Sequence, residues 1–241
     1  MSATAIARRD LIAAFTTPLA WLVIATWALV TNGLFVIFAL HPYHGNAGAD
    51  QPLYVVTLSG GVWVLLFLAP AITMNSFASE RAQGTMQLLL TVPVRETHLV
   101  LGKFVAAFAL LGTLVATTLV QVGTLAVVSQ LYLPHLLAAY GGYLLLCALL
   151  AALGVWISLL VDSPVTAYVM TFGGIFVLLL FTFTEPYPLL KPLHAVFAVL
   201  PRAQRFLAGE IRLADVAWFL AATATFLLLS HAALCARRIH G

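Results

Sequence analysis

Residues able to carry proton, metal or nucleophile chemistry are few in this 241-residue chain. His41 and His44 have a spacing at which two imidazoles can share a metal, but no third ligand accompanies them, so solvated loop residues are the simpler reading. Cys147 and Cys235 lie in separate apolar runs and make neither a zinc motif nor a disulfide framework, which leaves them as packing residues. Ser59 and His231 are of the types a nucleophile and base require, yet nothing in the spacing pairs them. No catalytic, cofactor-binding or metal-binding residue is therefore assigned. The segment that does stand out is Ser79 to His98, which mixes both charge signs with helix formers between two long apolar runs. It reads as a short helix at the membrane surface that touches a partner.

Nucleotide chemistry is excluded by the same scrutiny. Leu58-Ser59-Gly60-Gly61 resembles the start of a nucleotide-facing signature, but it lies inside an apolar run rather than at a soluble helix N-terminus. A phosphate loop needs G-x-x-x-x-G-K-[ST], and around Gly102-Lys103 the first glycine is Thr97 and the hydroxyl position is Phe104. The net charge of +3 comes from scattered basic residues, which gives nucleic acid no surface to bind.

The elements around these residues follow from composition. The chain is 63% hydrophobic and 8% charged, with a mean hydropathy of +1.06, and its apolar runs suit helices crossing a hydrocarbon core of ~30 Å. The expected fold is an all-α polytopic membrane protein of about six spans, over 19–40, 53–75, 99–128, 136–161, 165–183 and 216–235. Residues 1–18 form an N-terminal helix with Leu11, Ile12 and Phe15 on one side and Arg9 and Asp10 on the other. That helix either lies flat at the interface or extends the first span into the cytoplasm. Arg8-Arg9-Asp10 precedes a full-length apolar run without a cleavage site, so the first span is expected to stay in the mature protein. Trp21 and Trp27 are expected at the headgroup level, and Lys103 is expected to snorkel. Ser163 and Pro164 suit a helix cap, and Gly173-Gly174 suits close helix packing. Residues 184–215 hold Pro186, Pro188, Pro192 and Pro201 and read as an extracytoplasmic helical segment in which Ala195 to Leu200 can re-enter the membrane.

Basic residues orient this topology. With the N-terminus inside, seven of them (Arg8, Arg9, Arg81, Arg95, Lys103, Arg237, Arg238) fall in the cytoplasm and four (Lys191, Arg202, Arg205, Arg212) outside. Both termini are then cytoplasmic, as is the 76–98 segment. His231 apart, the spans lack ionisable groups at mid-membrane, where ion-coupled carriers place them. Energy for transport must then enter from another subunit.

Asn75 to Val94, running through Glu80-Arg81-Ala82-Gln83-Gly84-Thr85-Met86-Gln87-Leu88-Leu89-Leu90-Thr91-Val92-Pro93, resembles the segment after the second span of ABC-2 type transporter permeases. There the pattern precedes a G-K-F, here Gly102-Lys103-Phe104. Arg8-Arg9-Asp10-Leu11, Phe15-Thr16-Thr17-Pro18-Leu19-Ala20 and Asn32-Gly33-Leu34-Phe35 are similar to the opening of the small gliding-motility-type branch, and Phe206 to Val216 to the approach to its last span. Gln87 replaces the family's glutamate, so no ionic contact is assigned there.

The resemblance implies that this segment is a coupling helix, with Ser79, Glu80, Arg81, Ala82, Gln83, Gly84 and Thr85 meeting a cytoplasmic ABC ATPase dimer. It implies a permease subunit in a bacterial inner membrane, acting as an exporter or doing mechanical work on a periplasmic partner. The chain would need no cofactor, since ATP and magnesium belong to the ATPase. Its other implied partners are a second permease copy or related permease, a large periplasmic-domain auxiliary subunit, and bilayer lipid. The alternative is an ATPase-independent channel or secondary carrier.

Overall fold

The computed structural model of the chain describes residues 3–40, 53–85, 96–128, 132–184 and 187–240. The His41/His44 pair and residues 86–95 of the 76–98 segment lie outside them. The described helices are α1 (Ala3–Thr16), α2 (Pro18–Leu40), α3 (Leu53–Thr73), α4 (Ala78–Ala82), α5 (Glu96–Thr117) and α6 (Leu119–Val128), followed by α7 (Leu133–Leu160), α8 (Pro164–Leu180), α9 (Lys191–Phe197), α10 (Leu200–Leu207) and α11 (Leu213–His240). Among the described residues, six helical stretches are long and apolar enough to cross a bilayer. The all-α polytopic architecture expected from composition is the one observed.

Helix α7 is the axis of the bundle, packing against α3, α5, α8, α10 and α11. Its sequence explains that position: Ala138, Ala139, Gly142, Cys147, Ala151 and Gly154 are buried small residues that let neighbouring backbones approach. In lipid, where burying apolar area against apolar tails gains little, such close packing drives association. A Cβ added at Gly142 would sit 2.3 Å from the Phe206 Cβ, and one at Gly154 would sit 2.1 Å from the Thr73 Oγ1. The buried Tyr143 hydroxyl donates to the Leu58 carbonyl, and its oxygen lies where a Cβ on Gly61 would fall. The glycine pair of 60–61 is thus a packing surface, as its place inside an apolar run suggests.

Several expectations are corrected. Trp27 is fully buried, and its indole N–H donates to Thr117 Oγ1 at 3.1 Å. Of Trp21 and Trp27, Trp21 alone is exposed, donating to the Phe15 carbonyl at 2.9 Å. In α1 the buried residues are Ile6 and Ala7, while Ile12 faces outward, because Ile6 docks on α5 at Gly102. The third span is interrupted at Thr118, whose carbonyl accepts from the Gln121 and Val122 amides and whose hydroxyl lies 2.9 Å from that of Tyr140. Ser163 occupies the N-cap of α8 but its side chain makes no cap hydrogen bond; Pro164 fills the first turn as expected. A Cβ on Gly174 would meet Ile157 and Leu153 of α7 at ordinary contact distances and one on Gly173 would meet open space, so neither glycine is required for close packing within this chain.

Residues 187–212 fold onto the bundle rather than forming a plain loop. Val199, Leu200, Ala203, Phe206 and Leu207 are buried, so the stretch read as re-entrant is the corner between α9 and α10, seated on the bundle. Asp215 at the start of α11 binds Arg205 at 2.7 and 2.8 Å and Arg202 at 3.0 Å, and the Arg202 guanidinium lies 4.6 Å from the Trp218 ring centre. The carboxylate's hydrogen bond to Arg205 raises that guanidinium's pKa further above its ordinary value. Trp218 donates in turn to the Val196 carbonyl at 2.7 Å, which ties α9 to α11.

Gly142 tests this packing. Gly142→Leu forces Phe206 off α7 and is expected to lower the thermal midpoint of the purified protein strongly, whereas Gly141→Leu, beside open space, leaves it nearly unchanged. Equal losses in the two variants would refute the close α7–α10 contact.

Candidate functional site

Immediately after α3, the chain turns through Met74 to Phe77 and forms the single-turn-and-a-half α4. So short a helix has little stability of its own, and most of its backbone groups need partners from elsewhere. The C-terminal turn of α7 supplies them. Ser158, fully buried, accepts hydrogen bonds from the Phe77 and Ala78 amides, each at 3.0 Å, and donates to the Met74 carbonyl at 3.2 Å. The favour is returned at the end of α7, where Arg81 donates to the carbonyls of Leu159 at 2.8 Å and Val161 at 3.2 Å. Those are orphan acceptors at a helix C-terminus, where a cation is also favoured by the dipole. Arg81 further pairs with Asp162 at 2.6 Å.

The end of α4 is a Schellman turn. The Thr85 amide bonds the Glu80 carbonyl at 2.9 Å, the Gly84 amide bonds the Arg81 carbonyl at 3.0 Å, and Gly84 has φ +71°. A left-handed residue at this position is why glycine stands there. Thr85 Oγ1 adds a bond to the Glu80 carbonyl at 3.0 Å. Ala82, Gln83, Gly84 and Thr85 are exposed, so the turn is a formed knob projecting from the bundle.

Glu80 points the other way, into a closed ring of charges. Its Oε1 lies 2.6 Å from Lys103 Nζ and 3.1 Å from Arg9 Nη2; Asp10 completes the ring at 2.9 Å from Lys103 and 2.8 Å from Arg9. Lys103 is 5% exposed and also lies 5.5 Å over the Phe77 ring. It therefore does not snorkel: burial beside two carboxylates gives it partners that water would otherwise provide. The Gly102-Lys103 pair acquires a physical meaning here. Gly102 admits Ile6 of α1, with a notional Cβ only 2.8 Å from the Ile6 Cβ, and this approach brings Asp10 onto Lys103.

The residues singled out between 79 and 85 thus divide. Glu80 and Arg81 are turned inward, as anchors to α5, α1 and α7; Ser79 is half-buried and donates to the Asn75 carbonyl at 2.6 Å; Ala82 to Thr85 face outward. Sequence reasoning did not connect Arg9, Asp10, Lys103, Ser158 or Asp162 to this segment. The one available signal was that charged residues in so apolar a chain must find each other. No group of three or more His, Cys, Asp or Glu side chains able to hold a metal occurs among the described residues. Cys235 lies 3.7 Å from the His231 Nε2, a neighbour one turn away on α11.

Removing one member of the ring tests its coupling. Lys103→Met leaves two partly buried carboxylates sharing Arg9 alone and is expected to cost about 1–3 kcal/mol of stability. Glu80→Gln with Lys103→Met should cost less than the sum of the two single changes in a double-mutant cycle; strict additivity would mean that the two side chains do not interact.

The comparison with known families rests on the whole of this arrangement. No curated protein matches the chain. The family model described as ABC-2 family transporter protein matches residues 5–199, which contain all but the first two residues of α1, the charge ring, the knob and the first five spans. The chain therefore belongs to the ABC-2 transporter family, as a multi-pass permease component of an ABC transporter.

Proposed function

We propose that this protein is the permease subunit that receives mechanical input from a separate cytoplasmic ABC ATPase dimer through the knob Ala82–Gln83–Gly84–Thr85. The observation that carries the reading is the division of labour within 79–85. A preformed exposed turn stands on two anchors, Glu80 and Arg81, each fixed to a different part of the bundle. A push on the turn reaches α7 through Arg81 and Ser158, and reaches α5 and α1 through Glu80. A solvated loop with no partner would have no need of anchors on both sides.

The remaining features fit this assignment. The spans offer no mid-membrane carboxylate or lysine for ion coupling, and the sequence has no phosphate loop, so in this reading ATP and its magnesium belong to the partner. In this reading α1, the knob and the C-terminus face the cytoplasm of a bacterial inner membrane and 184–215 the outside, an orientation supported by the seven-to-four division of basic residues. A second permease copy or a related permease completes the transporter, and movement of the bundles against each other exports a substrate or works on a periplasmic partner. The opening and approach-to-last-span motifs favour the gliding-motility-type branch. A large periplasmic-domain protein encoded beside this chain would support that arrangement, and its absence would count against it.

Ala82→Trp and Ala82→Arg are expected to reduce co-purification with the cognate ABC ATPase, and the stimulated ATP hydrolysis, by about tenfold or more while the thermal midpoint holds. Unchanged complex formation in both variants overturns the docking assignment. Substrate flux through the purified protein in vesicles without any ATPase would instead establish a channel or carrier.

A further inference from the structure

Between α1, α2, the end of α3 and α5 lies a cavity of about 440 Å³, well within the ~300–1,000 Å³ of ligand sites. It exists because its walls are short: Ala13, Ala14, Ala20, Ala71, Ala106 and Ala107 face it where larger side chains would close the bundle. Its two ends differ chemically. One is mainly apolar, formed by Val23, Ile24 and Leu110 together with Thr113. The other is rimmed by Asn75, Ser76 and Gln83, beside the charge ring. Along α5 the lining runs from Lys103 to Thr113, ten residues or about 15 Å at the helical rise, half the ~30 Å hydrocarbon thickness. A cavity that starts polar at the level of an interfacial helix and becomes apolar over the depth of one leaflet has the profile of a membrane lipid.

The rim also selects a headgroup. Arg9 and Lys103 are each paired to both Asp10 and Glu80, so the ring offers two positive and two negative charges and no free cation to an anionic head. The amide and hydroxyl groups of Asn75, Ser76 and Gln83 can each donate and accept, which suits a head carrying both a donor and an acceptor. We infer that this cavity holds one phospholipid with a zwitterionic ethanolamine-class headgroup, its head at Asn75, Ser76 and Gln83 and one chain running between α2 and α5. Because Ser79 and Gln83 belong to the coupling segment and Asp10 to α1, an occupied cavity braces both against α5. This lipid site does not depend on ATPase docking, and the two fail separately.

The test uses the full-length protein in nanodiscs made with equal phosphatidylethanolamine and phosphatidylglycerol, released for native mass spectrometry. The expected result is one retained phosphatidylethanolamine per chain, favoured over phosphatidylglycerol by about tenfold, with a higher thermal midpoint than in phosphatidylglycerol alone. Ala20→Trp and Ala71→Phe, which fill the cavity from different helices, should each cut retention by about tenfold at unchanged helical content. No retained lipid, equal retention of the two lipids, or full retention in both filled variants overturns the assignment. The competition between the two lipids in the unaltered protein decides the matter even where a filled variant fails to fold.

Discussion

A helix end buried at the edge of a membrane protein must find hydrogen-bond partners for its exposed backbone groups, and here two such ends supply each other. Ser158, from the last turn of α7, serves the N-terminal amides of α4, and Arg81 from α4 serves the last carbonyls of α7. Neither arrangement works without the other, since α4 is too short to hold Arg81 in place unaided and α7 would otherwise end on bare acceptors. Leaving such groups unpaired costs about 1–3 kcal/mol each, so the pair fixes where the chain emerges from α3. Because α7 is also the helix around which the other spans pack, the exposed turn is referenced directly to the centre of the fold.

A second fastening holds the same segment from the other side. Lys103 is enclosed, and an enclosed ammonium requires carboxylates and good geometry to be tolerated. Asp10 arrives on α1 and Glu80 on α4, so three elements distant in sequence converge on one cation. The glycine before it is what permits that convergence, since any side chain at 102 would hold Ile6 and α1 away. The two fastenings act on adjacent residues, 80 and 81, whose side chains diverge toward α5 and α7. Consecutive positions on a helix point about 100° apart, which is how one turn of chain serves two anchors.

The spans and their all-α character were legible because long apolar runs leave the backbone no alternative in hydrocarbon. The segment between 79 and 98 was legible as the chain's charged interlude, and the family motif around it is echoed by the match over 5–199. What the sequence concealed was direction. Glu80 and Arg81 look like surface charges in a linear reading, yet their partners lie at residues 9, 103, 159, 161 and 162, far away along the chain. Trp27 was misplaced for a related reason: an indole near the end of an apolar run suits the headgroups, but Thr117 on another helix gives its N–H a buried partner. Ser163 and Ser158 show the same limit, the serine at the helix start making no cap while one eighty residues from the amides that donate to it does.

The balance of charge in the ring has an electrical consequence. Two cations and two carboxylates sum to zero, and the work done by a transmembrane potential on a moving group is proportional to its net charge, about 2.3 kcal/mol per elementary charge per 100 mV. Displacing the four groups together therefore exchanges almost no energy with the membrane potential. The energy of the ring is thus the same in an energised and a de-energised membrane, and any joint displacement of its four groups would be neither assisted nor resisted by the voltage.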